Sequence, residues 1–237
     1  FINDSYVIQD YATGKGHYGF QDVTGGVKYQ TYVNAQHEFI VSLGVIREFA
    51  RTGNPAIGAD TTGNTTPTVY WGKGLGDLPI GMLRPLAITG TAGYSIADKE
   101  LKGLPQSPSQ SGDMSGMATQ QFNNGYANRY VGGLSIQYSM PYLQSQVRDV
   151  GAGNFFGRLV PLVEIAYSSP AARPNNLGMQ LQVAPGVIYE GDTYQVGVEA
   201  LIPATKAAGT NVGVIAQFHL FFDDLFPNTL GKPLLDY

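Results

Sequence analysis

The stretch that decides the fold is Thr210–Asp223, TNVGVIAQFHLFFD. Val212, Val214, Ala216, Phe218, Leu220 and Phe222 fall on one side of a period of two; Gly213, Ile215, Gln217, His219 and Phe221 fall on the other. Side chains alternate across a β-strand, so the two sets meet different surroundings. One set is apolar throughout. The other mixes small, polar and bulky groups.

The same division recurs toward the N-terminus. Tyr194, Val196, Val198, Ala200 and Ile202 oppose Gln195, Gly197, Glu199 and Leu201. Met179, Leu181, Val183, Val187 and Tyr189 oppose Gln180, Gln182, Ala184 and Gly186. Leu159, Val163, Ile165 and Tyr167 oppose Arg158, Val160, Leu162 and Glu164. Tyr130, Leu134, Ile136, Tyr138 and Met140 oppose Val131, Gly133, Ser135, Gln137 and Ser139. Phe39, Val41, Leu43 and Val45 oppose Glu38, Ile40, Ser42, Gly44 and Glu48, and Val27, Tyr29, Thr31 and Val33 oppose Lys28, Gln30 and Tyr32. Charge separates the faces: the apolar side carries only Arg47, at a strand end, whereas the other holds Lys28, Glu38, Glu48, Arg158, Glu164 and Glu199.

Weaker strand signals lie near 16–24, 67–73 and 80–94, which brings the expected total to about ten strands, or twelve. Most are near the roughly 9–11 residues a tilted strand needs to cross a bilayer. No segment carries a 3.6-residue apolar stripe with caps, so the chain reads as all-β and as a single domain. The segments between strands alternate in length. Asn34–Gln36, Gly74–Asp77 and Glu190–Asp192 are short, while 51–67 and 95–128 are long, as in outer-membrane barrels with short periplasmic turns and long outer loops. Met140–Gly157 breaks that rule, because it falls where a short turn belongs. The 95–128 stretch is rich in Ser, Gln and Gly and reads as a loop, with a folded-in plug as the other option.

Composition narrows the class. Charged residues are 14% of the 237, against roughly 25% for soluble domains, and the net charge of −4 gives no footprint for nucleic acid. With 43% hydrophobic residues the chain can bury a core. The absence of cysteine excludes disulfides, thiolate metal sites and cysteine nucleophiles. No apolar run reaches the length of a transmembrane helix. A start at Phe1, without Met, fits a processed exported protein and equally a truncated one.

A soluble β-sandwich also alternates, with its apolar face buried. Here the aromatics Tyr130, Tyr138, Tyr167, Tyr189, Tyr194 and Phe222 cluster at strand ends, as in interfacial girdles, and the opposite face is small and polar. The reading is therefore a closed antiparallel transmembrane β-barrel. In it Val41, Leu43, Leu134, Ile136, Val163, Ile165, Leu181, Val196, Val198, Phe218 and Leu220 face lipid. Lys28, Glu38, Glu48, Arg158, Glu164, Gln195, Glu199, Gln217 and His219 line the lumen. Pro161 and Pro185 lie inside proposed strands and cannot donate to a ladder, so they call for bulges or strand ends.

Motifs for chemistry are weak. Gly14–Gly19 matches GxGxxG, yet it lacks the βαβ unit and downstream acid of a dinucleotide site. Trp71–Gly76 lacks P-loop spacing and reads as a turn. His17, His37 and His219 have no ligand spacing, so no metal is expected. Asp223-Asp224 fits turn chemistry. Glu164, Glu199 and His219 share a face and could form an acid/base cluster, but a barrel interior needs polar groups in any case. No cofactor and no catalytic residue is expected.

The ending AQFHLFFDDLFPNTLGKPLL (Ala216–Leu235), VGVEALIPATKAAGTNVGV (Val196–Val214) and the opening FINDSYVIQDYATGKGHYGF (Phe1–Phe20) resemble a Gram-negative outer-membrane family. That family carries the label "MetA-pathway of phenol degradation" and is described as transporter-like. The similarity spans about the first 50 and last 85 residues. It implies an outer-membrane barrel and a cleaved signal peptide, and carries over no catalytic residues. The tail 223–237 runs past the last strand, unlike many porins. The expected function is a passive channel or binding barrel for small uncharged or weakly hydrophobic solutes, located in the bacterial outer membrane. The alternatives are an anchoring barrel that binds a protein through the 95–128 loop or the tail, and a soluble sandwich that binds ligands or forms fibres.

Overall fold

A computed structural model describes residues 1–4, 6–10, 16–57, 59, 62–99, 127–171 and 178–221. Among the described residues twelve strands follow one another: β1 (Ile2–Asn3), β2 (Tyr6–Asp10), β3 (Gly16–Phe20), β4 (Thr24–Asn34), β5 (Phe39–Glu48), β6 (Asn64–Gly74), β7 (Leu86–Ala97), β8 (Arg129–Tyr138), β9 (Leu159–Pro170), β10 (Gln180–Glu190), β11 (Tyr194–Pro203) and β12 (Gly213–Leu220). Ten of them form one antiparallel sheet in the order β1-β4-β5-β6-β7-β8-β9-β10-β11-β12, a meander in which sequence neighbours are spatial neighbours. The weak signal at 16–24 divides in two. Gly16–Phe20 pairs with Tyr6–Asp10 as a separate hairpin, and the sheet resumes at Thr24. The signal at 80–94 shifts C-terminally, because Gly81–Leu83 forms a helical turn before β7. Among the described residues no ladder joins β12 to β4, so the sheet has two edges.

The sheet is strongly curled. Thr89 of β7 and His219 of β12 line the same cavity, although five strand spacings of roughly 4.8 Å would hold those strands about 24 Å apart in a flat sheet. The inner, concave face is buried and largely polar: Ser42, Glu48, Asn64, Thr66, Thr68, Thr91, Arg129, Ser135, Glu164, Ser168, Gln180 and Glu199. The outer face is apolar and exposed, with Val27, Tyr29, Leu43, Val45, Val69, Ile96, Tyr130, Ile136, Val163, Val187, Val196, Val198, Val214 and Phe218. This inverts the burial of a soluble sandwich, whose covered face is apolar.

A β-bulge corrects one facing assignment. In β4 the register with β5 runs Gln30↔Ser42 and then Tyr32↔Val41, leaving Thr31 as the extra residue. From there the faces exchange: Tyr32 joins the outer face, where its ring lies 6.2 Å from that of Phe39, and Val33 turns inward opposite Ile40.

The prolines need no bulge, which corrects half of the expectation. Pro185 pairs with Val163, but the β10–β11 ladder omits Ala184 and Pro185, running from Val183↔Ile202 to Gly186↔Glu199. Pro161 pairs with Val187 and lies just past Gln137↔Leu162, where the β8–β9 ladder stops. Pro67 repeats the device, since the β6–β7 register passes from Thr65↔Ile96 to Thr68↔Gly93. Each ring sits against a gap, where its missing N–H removes no bond.

The connections sort to two ends. One end holds the turns after β4, β6 and β10 and the segment between β8 and β9. That segment, where a short turn is expected, instead folds into α1 (Met140–Tyr142), a π turn at Leu143–Val147 and α2 (Gly153–Phe156), with Leu143 buried. Ser139 caps α1 by accepting from the Tyr142 N–H at 3.2 Å. At the opposite end β5, β7, β9 and β11 finish and β6, β8, β10 and β12 begin. Residues 100–126 of the long loop and the tail 223–237, with Asp223 and Asp224, lie outside the described residues, as do Gly14 and Lys15 of the GxGxxG match.

Candidate functional site

Inner-face residues of β9 to β12 fall into rungs because the ladders are in register. Leu162, Gly186, Glu199 and Ile215 form one rung; Val160, Ile188, Gly197 and Gln217 the next; Glu190, Gln195 and His219 the third. Ser135 of β8 stands opposite Glu164, and Thr89 of β7 opposite Ser135. These strands curve around a cavity of about 320 Å³, at the lower end of the usual range for small-molecule sites.

Two glycines shape it. A Cβ on Gly186 would lie 2.2 Å from Glu199 Cγ, so the bare backbone of β10 is the bed on which the Glu199 side chain rests. A Cβ on Gly197 would meet only Ile188 Cγ1 at 3.5 Å and Gln217 Cβ at 3.9 Å, so Gly197 leaves open space in the middle rung.

The cavity is acidic. Glu164, Glu190 and Glu199 line it, with no lysine or arginine among the described lining residues. Ser135 hydrogen-bonds Glu164, and Gln195 Nε2 donates to Glu190 Oε1 at 3.3 Å. Glu199 is only 5% exposed, and its Oε2 has no hydrogen-bond partner among the described residues. Val160, Leu162 and Ile188 supply an apolar wall beside these carboxylates.

Of the residues expected to line a lumen, Glu164, Gln195, Glu199, Gln217 and His219 converge on this cavity. Lys28 and Glu48 share the inner face elsewhere: Lys28 Nζ sits 5.2 Å from the Tyr70 ring centre, and Glu48 Oε2 accepts from Asn64 Nδ2 at 2.6 Å. Glu38 and Arg158 are corrections. Glu38 lies in the β4–β5 turn with φ 47°, and its carboxylate accepts from the Gly76 N–H at 2.7 Å. Arg158 precedes β9 and pairs with Asp192 at 2.6 Å, which keeps its guanidinium still more firmly charged. Both fasten connections at one end of the sheet. The same end holds Asp77, well below the usual carboxylate range because Lys73 donates to it at 2.8 Å, with His37 at 3.3 Å.

The residues expected to face lipid all lie on the outer face. Val41 and Leu43 neighbour Trp71 and Val69; Leu134 and Ile136 neighbour Ile165 and Val163; Leu181 pairs with Tyr167; Val196 and Val198 neighbour Phe218 and Ala216; Leu220 pairs with Tyr194.

A second inner cluster escaped the sequence reading. Arg129 Nη2 donates to Gln180 Oε1 at 3.2 Å, its Nε donates to Ser168 Oγ, and Gln180 Nε2 donates to the Ala207 carbonyl at 3.1 Å. The alternation Val131, Gly133, Ser135 extended back two residues places Arg129 on the inner face, a signal available in the sequence. No group of three or more metal-ligating side chains occurs among the described residues. Glu164, Glu199 and His219 do share the cavity, but Glu199 and His219 stand two rungs apart, which is not the spacing of a coupled acid and base. No family model matches the chain, and no curated protein or solved structure matches it significantly.

Proposed function

We propose that the chain is an outer-membrane β-barrel that holds or passes small solutes and performs no chemistry. One observation carries the reading: an exposed apolar face surrounds a buried polar one. In water that arrangement leaves a continuous apolar surface wet and encloses polar groups; in a bilayer both faces are satisfied.

Three features support it. Every long strand except β12 has 10–12 residues, enough to cross tilted. Aromatic rings run along the outer face at one end, Phe155–Tyr189 at 5.5 Å, Tyr189–Tyr194 at 6.2 Å and Tyr194–Phe218 at 6.1 Å, and Tyr94–Tyr130 at 5.2 Å marks the other end. Antiparallel closure takes an even number of strands, and β1, antiparallel to β4 on its free edge, makes the tenth strand at the position where β12 would join. In this reading the barrel closes at that seam in the membrane, and the end at which β5 and β7 finish faces outward.

The test is conductance of the refolded chain in a planar bilayer. Passage predicts discrete channel openings whose ion selectivity changes in Glu199→Gln. Inserted protein with no openings and no solute binding contradicts the reading.

A further inference from the structure

The buried acidic cavity has a chemistry more specific than general solute passage. Glu199 is 95% removed from solvent, directed into the cavity, and one of its oxygens lacks a partner among the described residues. A carboxylate left in that state is costly, and among the described residues the cavity wall carries no lysine or arginine to offset it, only His219 on β12, two rungs from Glu199. Glu164, two strands away on β9, adds negative charge, and the two repel when both are ionised. The carboxylates therefore favour a positively charged guest with N–H donors, which would complete Glu199 Oε2 and relieve the repulsion. The wall of Val160, Leu162 and Ile188, together with the space over Gly197, suits an apolar body attached to that cation. A bare metal ion fits less well, because no set of three ligating side chains converges among the described residues.

We propose that this cavity is a binding site for small organic amines in their protonated form, the ammonium on Glu199 and Glu164 and the apolar body against Val160, Leu162 and Ile188. The proposal rests on the reading of the curled sheet as a solute-holding barrel and names the solute class; it replaces the uncharged solute expected from sequence.

Benzylamine and its uncharged isostere benzyl alcohol are the probes, titrated calorimetrically into the full refolded chain at neutral pH. Benzylamine is expected to bind about tenfold or more tightly than the alcohol, as a charge-assisted hydrogen bond requires. Glu199→Gln should bring the two within about twofold of each other. Gly197→Leu, which fills the middle rung from a position where a Cβ makes only ordinary contacts, should abolish binding of both. Equal affinity for the two probes, absence of binding, or a preference that survives Glu199→Gln overturns the proposal. Gel mobility with and without boiling is recorded on the same sample. A shifted band with no amine preference overturns only the amine site, whereas an unshifted, detergent-independent chain overturns the barrel.

Discussion

Glu199 of β11 lies across Gly186 of β10, so close that a methyl group on the glycine would come 2.2 Å from Glu199 Cγ and 2.6 Å from the Val198 carbonyl. The carboxylate reaches the cavity only because its neighbour has no side chain. Gly186→Ala must therefore push Glu199 aside or shift β11. The expected cost is about 1–3 kcal/mol, the range for overpacking, read as a lower urea midpoint of the refolded chain. A midpoint equal to that of the unaltered chain would show that the contact is slack.

Val198 and Glu199 are consecutive and opposite in fate. Val198 faces outward between Val187 and Ala216, and Glu199 faces inward. Val198→Arg should cost about 2–4 kcal/mol of folding into lipid if it sits near the midplane, while Glu199→Gln should fold like the parent. Folding yield into vesicles decides it, and equal damage from the two would refute the facing assignment.

Arg129 is buried with Ser168 and Gln180. Arg129→Met keeps much of the volume and withdraws the donors. The expected loss is about 1–3 kcal/mol for each buried group left unpaired, again by urea midpoint. A neutral result would mean that these groups find water.

Two surface carboxylates set a small acid dependence. The Lys73 hydrogen bond, with His37, lowers the pKa of Asp77 below its ordinary 3.8, and the Arg47 hydrogen bond does the same for Asp98. A depressed folded value stabilises above the unfolded pKa, and the contribution disappears as pH falls through the folded value. The double variant Asp77→Asn, Asp98→Asn should thus be less stable than the parent at pH 7, and the gap should close as pH falls through the folded values, which lie below 3.8. Both pairs are solvent-exposed, so the difference is modest. A gap that persists unchanged in acid would contradict the assignment.

The period of two in Thr210–Asp223 and its repeats revealed the long strands and which face each residue takes, because a strand that stays in register makes facing a matter of parity. Parity fails where an extra residue enters: the bulge at Thr31 turns Tyr32 outward and Val33 inward, and nothing in GVKYQTYVN announces it. It also fails beyond strand ends, so Glu38 and Arg158 counted as wall residues although they fasten turns. The site was half legible. Glu164 and Glu199 could be placed on one face, but their convergence depends on inter-strand register, on the curl of the sheet and on Gly186 lying between them. The β2–β3 hairpin was hidden because its strands pair with each other rather than extend the sheet.

The central claim is that the exposed apolar face is met by lipid around a closed barrel. Electrophoretic mobility of the chain with and without boiling, after extraction with and without detergent, tests it most directly. The account predicts solubility only in detergent and a compact, faster band that slows on boiling. A chain that is monodisperse without detergent and migrates identically in both states would contradict it.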